Sequence, residues 1–229
     1  MKSMSEIKVV AFVPMRHHSQ RVPGKNYRPL AGRPLYAYIL DTLSRCPEVA
    51  HIVVDTDSPV LMEGIRSEFP EVEIIPRPGN LCGDDVPMND ILLHDIGQID
   101  GDVFLQTHST NPLLGDGTIT RAIQAYSDGL PDHDSLFSVT RFQTRLWTAE
   151  GKAVNHDPAT LIPTQELEPL FLENSCLYVF SRESLVGRHN RIGKTPILFE
   201  ISPEEAVDID TEWDFRLAEC MILKDTPSK

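Results

Sequence analysis

Ile7-Lys8-Val9-Val10-Ala11-Phe12-Val13-Pro14-Met15-Arg16-His17-His18-Ser19-Gln20-Arg21-Val22-Pro23-Gly24-Lys25-Asn26 joins a short apolar, β-branched run to a loop dense in cations. The run from Ile7 to Val13 reads as a buried strand. Similar runs follow at Ile52 to Val54, Val72 to Ile75, Val103 to Leu105, Leu136 to Val139 and Leu177 to Phe180. Between them, Leu35 to Leu43, Pro59 to Glu68, Asn89 to Ile99 and Gly117 to Tyr126 carry apolar residues at helical spacing, and a last helix is expected from about Thr211 to Leu223. Pro34 suits the start of the first helix, where its missing N–H costs nothing. Strands alternating with helices predict an α/β fold of the Rossmann-like kind, a mainly parallel sheet with helices on both faces. In such a sheet the ligand crevice lies beyond the carboxyl ends of the strands, here the loops after Val13, Val54, Ile75 and Leu105.

The chain is 229 residues long and carries no internal repeat or linker, so a single domain spanning 1–229 is expected. The stretch from Arg141 to Glu173 breaks the alternation and is rich in Pro, Thr and mixed charge, as an excursion from the core would be. No apolar run approaches the roughly 20 residues that span a bilayer. Met1 to Glu6 lacks the apolar segment of a signal peptide, and Cys46, Cys82, Cys176 and Cys220 form no Cys-x-x-Cys pair. A cytoplasmic protein with reduced thiols, no membrane association and no zinc site is the expectation.

A net charge of -13 argues against a nucleic-acid partner. The charge is also uneven: from Ile7 to Leu40 there is no Asp or Glu, while Lys8, Arg16, Arg21, Lys25, Arg28 and Arg33 all fall there. Charge alone leaves two readings open, a pocket for a multiply charged anion and a solvated basic loop. The loop is neither Gly-x-Gly-x-x-Gly nor a Walker loop, which sets aside the dinucleotide and P-loop readings. A second motif, Val207-Asp208-Ile209-Asp210-Thr211-Glu212, places two carboxylates two residues apart. In an extended segment both would face one hard cation, whereas a cap for the following helix would leave Asp208 as a surface acid.

The segment Arg16 to Asn26 resembles the signature of the CMP-sialic acid (acylneuraminate) and CMP-KDO synthetases, with an Arg, a Ser, a Pro and a Lys-Asn pair after the first strand. Four further stretches resemble that family in order along the chain. These are Arg77-Pro78 with Leu81 and Asp84, Leu105-Gln106-Thr107 before Pro112, Glu173-Asn174-Ser175-Cys176-Leu177-Tyr178, and Asp208-Ile209-Asp210 before a helix. The resemblance implies a nucleotidyltransferase joining CTP to a 2-keto sugar acid with Mg2+ on Asp208 and Asp210. It puts Arg16, Ser19, Arg21, Lys25, Asn26, Arg77 and Asp84 around the nucleotide, and Gln106 and Asn174 at the sugar acid. Arg16 and Lys25 join the two aspartates as the catalytic set. It also implies a homodimer whose protruding arm, about 141–173, completes the neighbouring site. Two departures stand out. Gln20 occupies a position where the family usually has Lys, and the arm stretch Leu161 to Leu167 carries no basic residue, which leaves Arg141 and Arg145 to bind a carboxylate. Two alternatives stand beside this reading: a nucleotidyltransferase of the same general architecture acting on a sugar 1-phosphate or a phosphonate, and, suggested by the departures, a non-catalytic nucleotide-binding relative.

Overall fold

The structure, a computed structural model, describes residues 9–225; Met1 to Glu6, Ile7 and Lys8 lie outside the described residues. In chain order these form β1 (Val9–Phe12), the two-residue strands β2 (Pro29–Leu30) and β3 (Arg33–Pro34), α1 (Leu35–Ser44), β4 (Val49–Thr56), α2 (Pro59–Glu68) and β5 (Glu73–Pro76). There follow α3 (Met88–Ile96), β6 (Val103–Thr107), α4 (Asp116–Gly129), β7 (Ser135–Phe142), β8 (Leu170–Ser181), α5 (Arg182–Arg188), β9 (Pro196–Glu200) and α6 (Glu212–Asp225).

Seven strands make one sheet in the order β5-β4-β1-β6-β8-β7-β9. Every neighbouring pair is parallel except the two that involve β8, which therefore runs against the other six. Alternate side chains explain why the sheet is sandwiched. Val9, Ala11, Ile52, Val54, Val103, Leu105, Leu177 and Val179 point to one face, where α1, α2 and α4 cover them. Val10, Phe12, Val53, Phe104, Tyr178 and Phe180 point to the other, under α3 and α5. The predicted α/β class with helices on both faces is what the chain forms.

Several boundaries moved. The last strands of the sheet were only partly anticipated: β8 extends back to Leu170, and β9 and α5 were not expected. Pro34 is the residue before α1 and pairs with Pro29 in a small hairpin. The stretch between β7 and β8 is an excursion, as expected, and side-chain hydrogen bonds to backbone hold it. Gln143 donates to the carbonyls of Gln165 and Leu167, at 2.8 and 2.7 Å, and Arg145 donates to that of Ile162. No helix among the described residues is long and apolar enough to cross a membrane.

Candidate functional site

The carboxyl ends of β1, β5 and β6 open into one cleft of about 650 Å³. The loop after β1 supplies its first wall. Gly24 sits at φ 67°, left-handed backbone where a Cβ would come within 2.8 Å of the Tyr27 ring. That turn sends Lys25 and Asn26 inward. Asn26 donates to the Arg16 carbonyl (2.8 Å) and accepts from Ser109 Oγ (2.8 Å), tying both ends of the loop to the segment after β6. His17 is turned away to Ser58, with Nδ1 2.7 Å from Ser58 Oγ and its backbone N–H on Asp57 (2.7 Å). It braces the loop against the β4–α2 connection, and neither His17 nor His18 lines the cleft.

The acids missing from this loop arrive from elsewhere in the chain. Asp84 pairs with Arg16 and accepts from Gln20 Nε2 at 2.5 Å. Asp210 lies 2.7 Å from Arg21 and 3.6 Å from Lys25. Lys25 Nζ also donates to the Ile209 carbonyl at 2.5 Å. Burial lowers the Lys25 pKa, and the charges of Asp210 and Asp208 work against that shift. The basic loop and the Asp-x-Asp segment, 184 residues apart, are thus directly bonded.

Helix α6 begins with a reciprocal cap. Asp214 Oδ2 accepts from the backbone N–H of Thr211 (2.7 Å), and Thr211 Oγ1 accepts from that of Asp214 (3.3 Å). Thr211, not an aspartate of the Asp-x-Asp pair, caps the helix because its side chain reaches the third helical residue, and Asp210 is left facing the cleft. Ile209 is fully buried between the two aspartates, and its N–H donates to the Thr110 carbonyl at 2.9 Å. Asp208 Oδ1 is buried without a hydrogen-bond partner, and burial raises its carboxyl pKa. An orphaned carboxylate oxygen beside a second carboxylate is a donor set suited to a hard divalent cation that keeps most of its other ligands from phosphate and water. No cluster of three or more His, Cys, Asp or Glu suited to a metal occurs among the described residues, so Asp208 and Asp210 are the two carboxylates this segment offers.

Arg77 is not the surface arginine of a turn. Its side chain is 5% exposed and its Nε lies 2.5 Å from Asp55 Oδ1, under the cleft. Asp55 in turn adjoins Asp95 of α3, and both carboxylates are fully buried. Burial, then the neighbouring Asp55 charge, pushes the Asp95 pKa up to about 8, so the pair holds a proton at neutral pH.

The opposite wall comes from β6, β8 and the turn after α5. Gln106, expected to meet the ligand, is fully buried and reaches the cleft only through its neighbours. Its Nε2 lies 2.9 Å from His108 Nε2, and its Oε1 accepts from Arg191 at 2.7 Å. His108 lines the cleft but stays neutral, its pKa pushed down to about 3 by loss of solvation and then by Arg191 and Lys25. Asn174 faces β7, where it accepts from Ser138 Oγ (2.5 Å) and donates to Thr140 Oγ1 (2.9 Å); the next residue, Ser175, lines the cleft at φ 58°.

The structure therefore gathers nine expected residues, Arg16, Ser19, Arg21, Lys25, Asn26, Arg77, Asp84, Asp208 and Asp210, around one cavity. It leaves Arg141 exposed at the end of β7 and Arg145 bonded within the excursion, both off the lining. It adds Arg191, which no motif announced: a lone arginine in a turn gives no periodicity to read.

A family model described as cytidylyltransferase matches residues 10–220. The N-acylneuraminate cytidylyltransferase of Streptococcus agalactiae serotype V is 24% identical over 216 residues, 91% of this chain and 52% of that protein. This chain therefore spans about half the length of that relative. The post-translational flagellin modification protein B of Campylobacter coli is 24% identical over 230 residues, 96% of both chains. Among solved structures, a CMP:2-keto-3-deoxy-manno-octonic acid synthetase complexed with CTP matches with TM-score 0.73 and 13% identity. The match covers 96% of this chain and 100% of that one, a likeness of fold.

Proposed function

The chain belongs to the cytidylyltransferase family, and from that premise we propose that it transfers CMP from CTP to a 2-keto sugar acid, a nonulosonate such as sialic acid or a relative, releasing pyrophosphate. The observation that carries the reading is the cleft itself, where the cations of an acid-free loop meet Asp208 and Asp210 through the Lys25–Ile209 bond. The relatives named for N-acylneuraminate motivate the acceptor class.

In this reading the acceptor hydroxyl attacks the α-phosphorus of CTP, a new P–O bond forms, and the bond to the β-phosphate breaks. The hydroxyl proton leaves to solvent; His108, neutral and already accepting from Gln106, is a poor base. Arg16, Arg21 and Lys25 take up the charge that develops on pyrophosphate, released from Asp84 and Asp210 as the triphosphate enters. Ser19, Asn26 and Arg77 orient the nucleotide, and the Asp55 pair fixes the Arg77 guanidinium. Asp208 and Asp210 would hold Mg2+, which supplies charge neutralisation at the phosphates when bound.

The single domain carries an arm over about 141–173 that we assign to a homodimer contact. Phe142, Trp147, Leu161 and Leu172 are 41, 52, 87 and 57% exposed there, apolar side chains that a partner surface would cover. Arg141 and Arg145 would then serve the neighbouring subunit's acceptor.

The test is pyrophosphate release from CTP with a panel of sugar acids, with and without Mg2+. Asp210→Asn is expected to lose at least about 100-fold in kcat, as removal of a principal charge-stabilising group does. Wild-type rates from that variant would sink the metal assignment. Preferential thermal stabilisation by UTP, GTP or ATP over CTP would sink the nucleotide assignment.

A further inference from the structure

Five basic side chains line the cleft, and four have a carboxylate within ion-pairing reach: Arg16 has Asp84, Arg21 and Lys25 share Asp210, and Arg77 has Asp55. The fifth, Arg191, has no carboxylate within that reach among the described residues. Two contacts hold it in place. Its guanidinium lies 3.7 Å from the centroid of the fully buried Tyr178 ring, and one amino group donates to the buried Gln106. Both contacts hold a cation without neutralising it.

The backbone beneath it is equally fixed. The Arg191 N–H donates to Asn89 of α3 at 3.1 Å, and the N–H of Gly193 donates to Ser135 Oγ at 2.8 Å. Asp134 accepts from the N–H groups of Lys194 and Thr195 at 2.7 and 2.9 Å. A Cβ at position 193 would lie 2.1 Å from Asp134 Oδ1, so only glycine lets the turn close on that carboxylate. A half-buried guanidinium held this rigidly without a counter-ion is costly unless an anion completes it. The surrounding wall offers none: His108 is neutral, and Ser109, Thr110 and Ser175 contribute hydroxyls.

We propose that Arg191 binds an oxyanion of the acceptor and so selects anionic acceptors over neutral ones. The proposal rests on the cytidylyl-transfer reading, and deepens it by naming the group on this chain that reads the acceptor's charge. It places an oxyanion contact inside the subunit's own cleft, whose lining includes neither Arg141 nor Arg145. The fork of Arg191 has one side spent on Gln106, which leaves the remaining N–H groups for a carboxylate or a phosphate oxygen.

The experiment compares wild type with Arg191→Gln and Arg191→Lys, using CTP with N-acetylneuraminate, its methyl ester, 2-keto-3-deoxy-manno-octonate and a sugar 1-phosphate. Turnover gives KM and kcat, and calorimetry in the presence of CTP gives acceptor affinity. The expected result is a rise of about 10- to 100-fold in acceptor KM or Kd for Arg191→Gln, the effect of losing a hydrogen bond to a charged group. Arg191→Lys falls between, CTP affinity stays within about twofold of wild type in both variants, and the ester loses the preference shown by the acid. The sugar acids and the sugar 1-phosphate distinguish a carboxylate from a phosphate. Unchanged acceptor affinity in Arg191→Gln, equal use of acid and ester by wild type, or wild type that binds CTP but none of the anionic acceptors would each overturn the proposal. Wild type that does not bind CTP overturns instead the reading on which it rests.

Discussion

Asp95 shows how one buried residue links the sheet to the cleft. Its carboxyl sits against Asp55, which holds Arg77, and burial raises its pKa from 3.8 to about 8. The folded state therefore keeps a proton that the unfolded chain releases above about pH 4. The stability this contributes is fully present below pH 3.8 and is lost as pH rises toward 8. Asp95→Asn carries no such proton and leaves the Arg77–Asp55 pair in place. At pH 8 the variant is expected to be more stable than wild type by at least about 1 kcal/mol, roughly 2–4 °C in Tm, with the difference shrinking toward pH 5. Thermal melts across pH 5 to 8 decide it; a difference independent of pH would mean that the pair is not sharing a proton. Nothing in the sequence announces this pair, because Asp55 and Asp95 are 40 residues apart and meet only once α3 packs on the sheet. Asp208 and Asp210 were legible for the opposite reason: their spacing is local, and an extended segment fixes the relative direction of their side chains.

At the scale of elements, α6 is what brings the Asp-x-Asp segment to the basic loop. Phe215 and Ala218 of α6 pack with Val22, Leu30, Leu35 and Ile209 in a small separate core. Arg28 lies 4.1 Å over the Phe215 ring and pairs with Glu212 at 2.6 Å. Phe215 is 2% exposed, so Phe215→Ala leaves a cavity costing about 3–5 kcal/mol if the site cannot collapse. Because this core joins the two halves of the cleft, the variant is expected to lose CTP affinity as well as Tm. Undiminished thermal protection by CTP would show that α6 stabilises the fold without positioning the site. The same scale explains what could be read in advance. β1, β4 and β6 are covered on both sides, so their apolar runs are conspicuous. β9 is an edge strand that begins with Pro196 and is only partly covered, so its pattern is weak. The reversed direction of β8 is set by partners 28 or more residues away, which no local pattern encodes. Arg191 escaped for a related reason, since its place in the cleft depends on a turn pinned by α3 and β7.

The whole molecule carries a net charge of -13, which keeps separate copies apart, yet β7 and β8 run out into an arm with apolar side chains open to solvent. The proposed homodimer would cover that arm with a second copy. At micromolar concentration light scattering is then expected to give about twice the chain mass of 25.7 kDa. Introducing charge with Leu161→Asp and Leu172→Asp together should halve that value, because neither side chain is part of the monomer core and each would have to be buried to dimerise. A wild-type mass of one chain would remove the dimer and the assigned role of the arm together. A mixing experiment separates contact from function. If Arg145 serves the neighbouring site, Arg145→Ala and Asp210→Asn proteins are each impaired, and a mixture allowed to exchange subunits recovers activity through sites built from one intact half of each. If the mixture stays at the average of its parts while the dimer mass persists, the arm holds two self-sufficient sites together. The acceptor's charge is then read within each subunit, where Arg191 already stands.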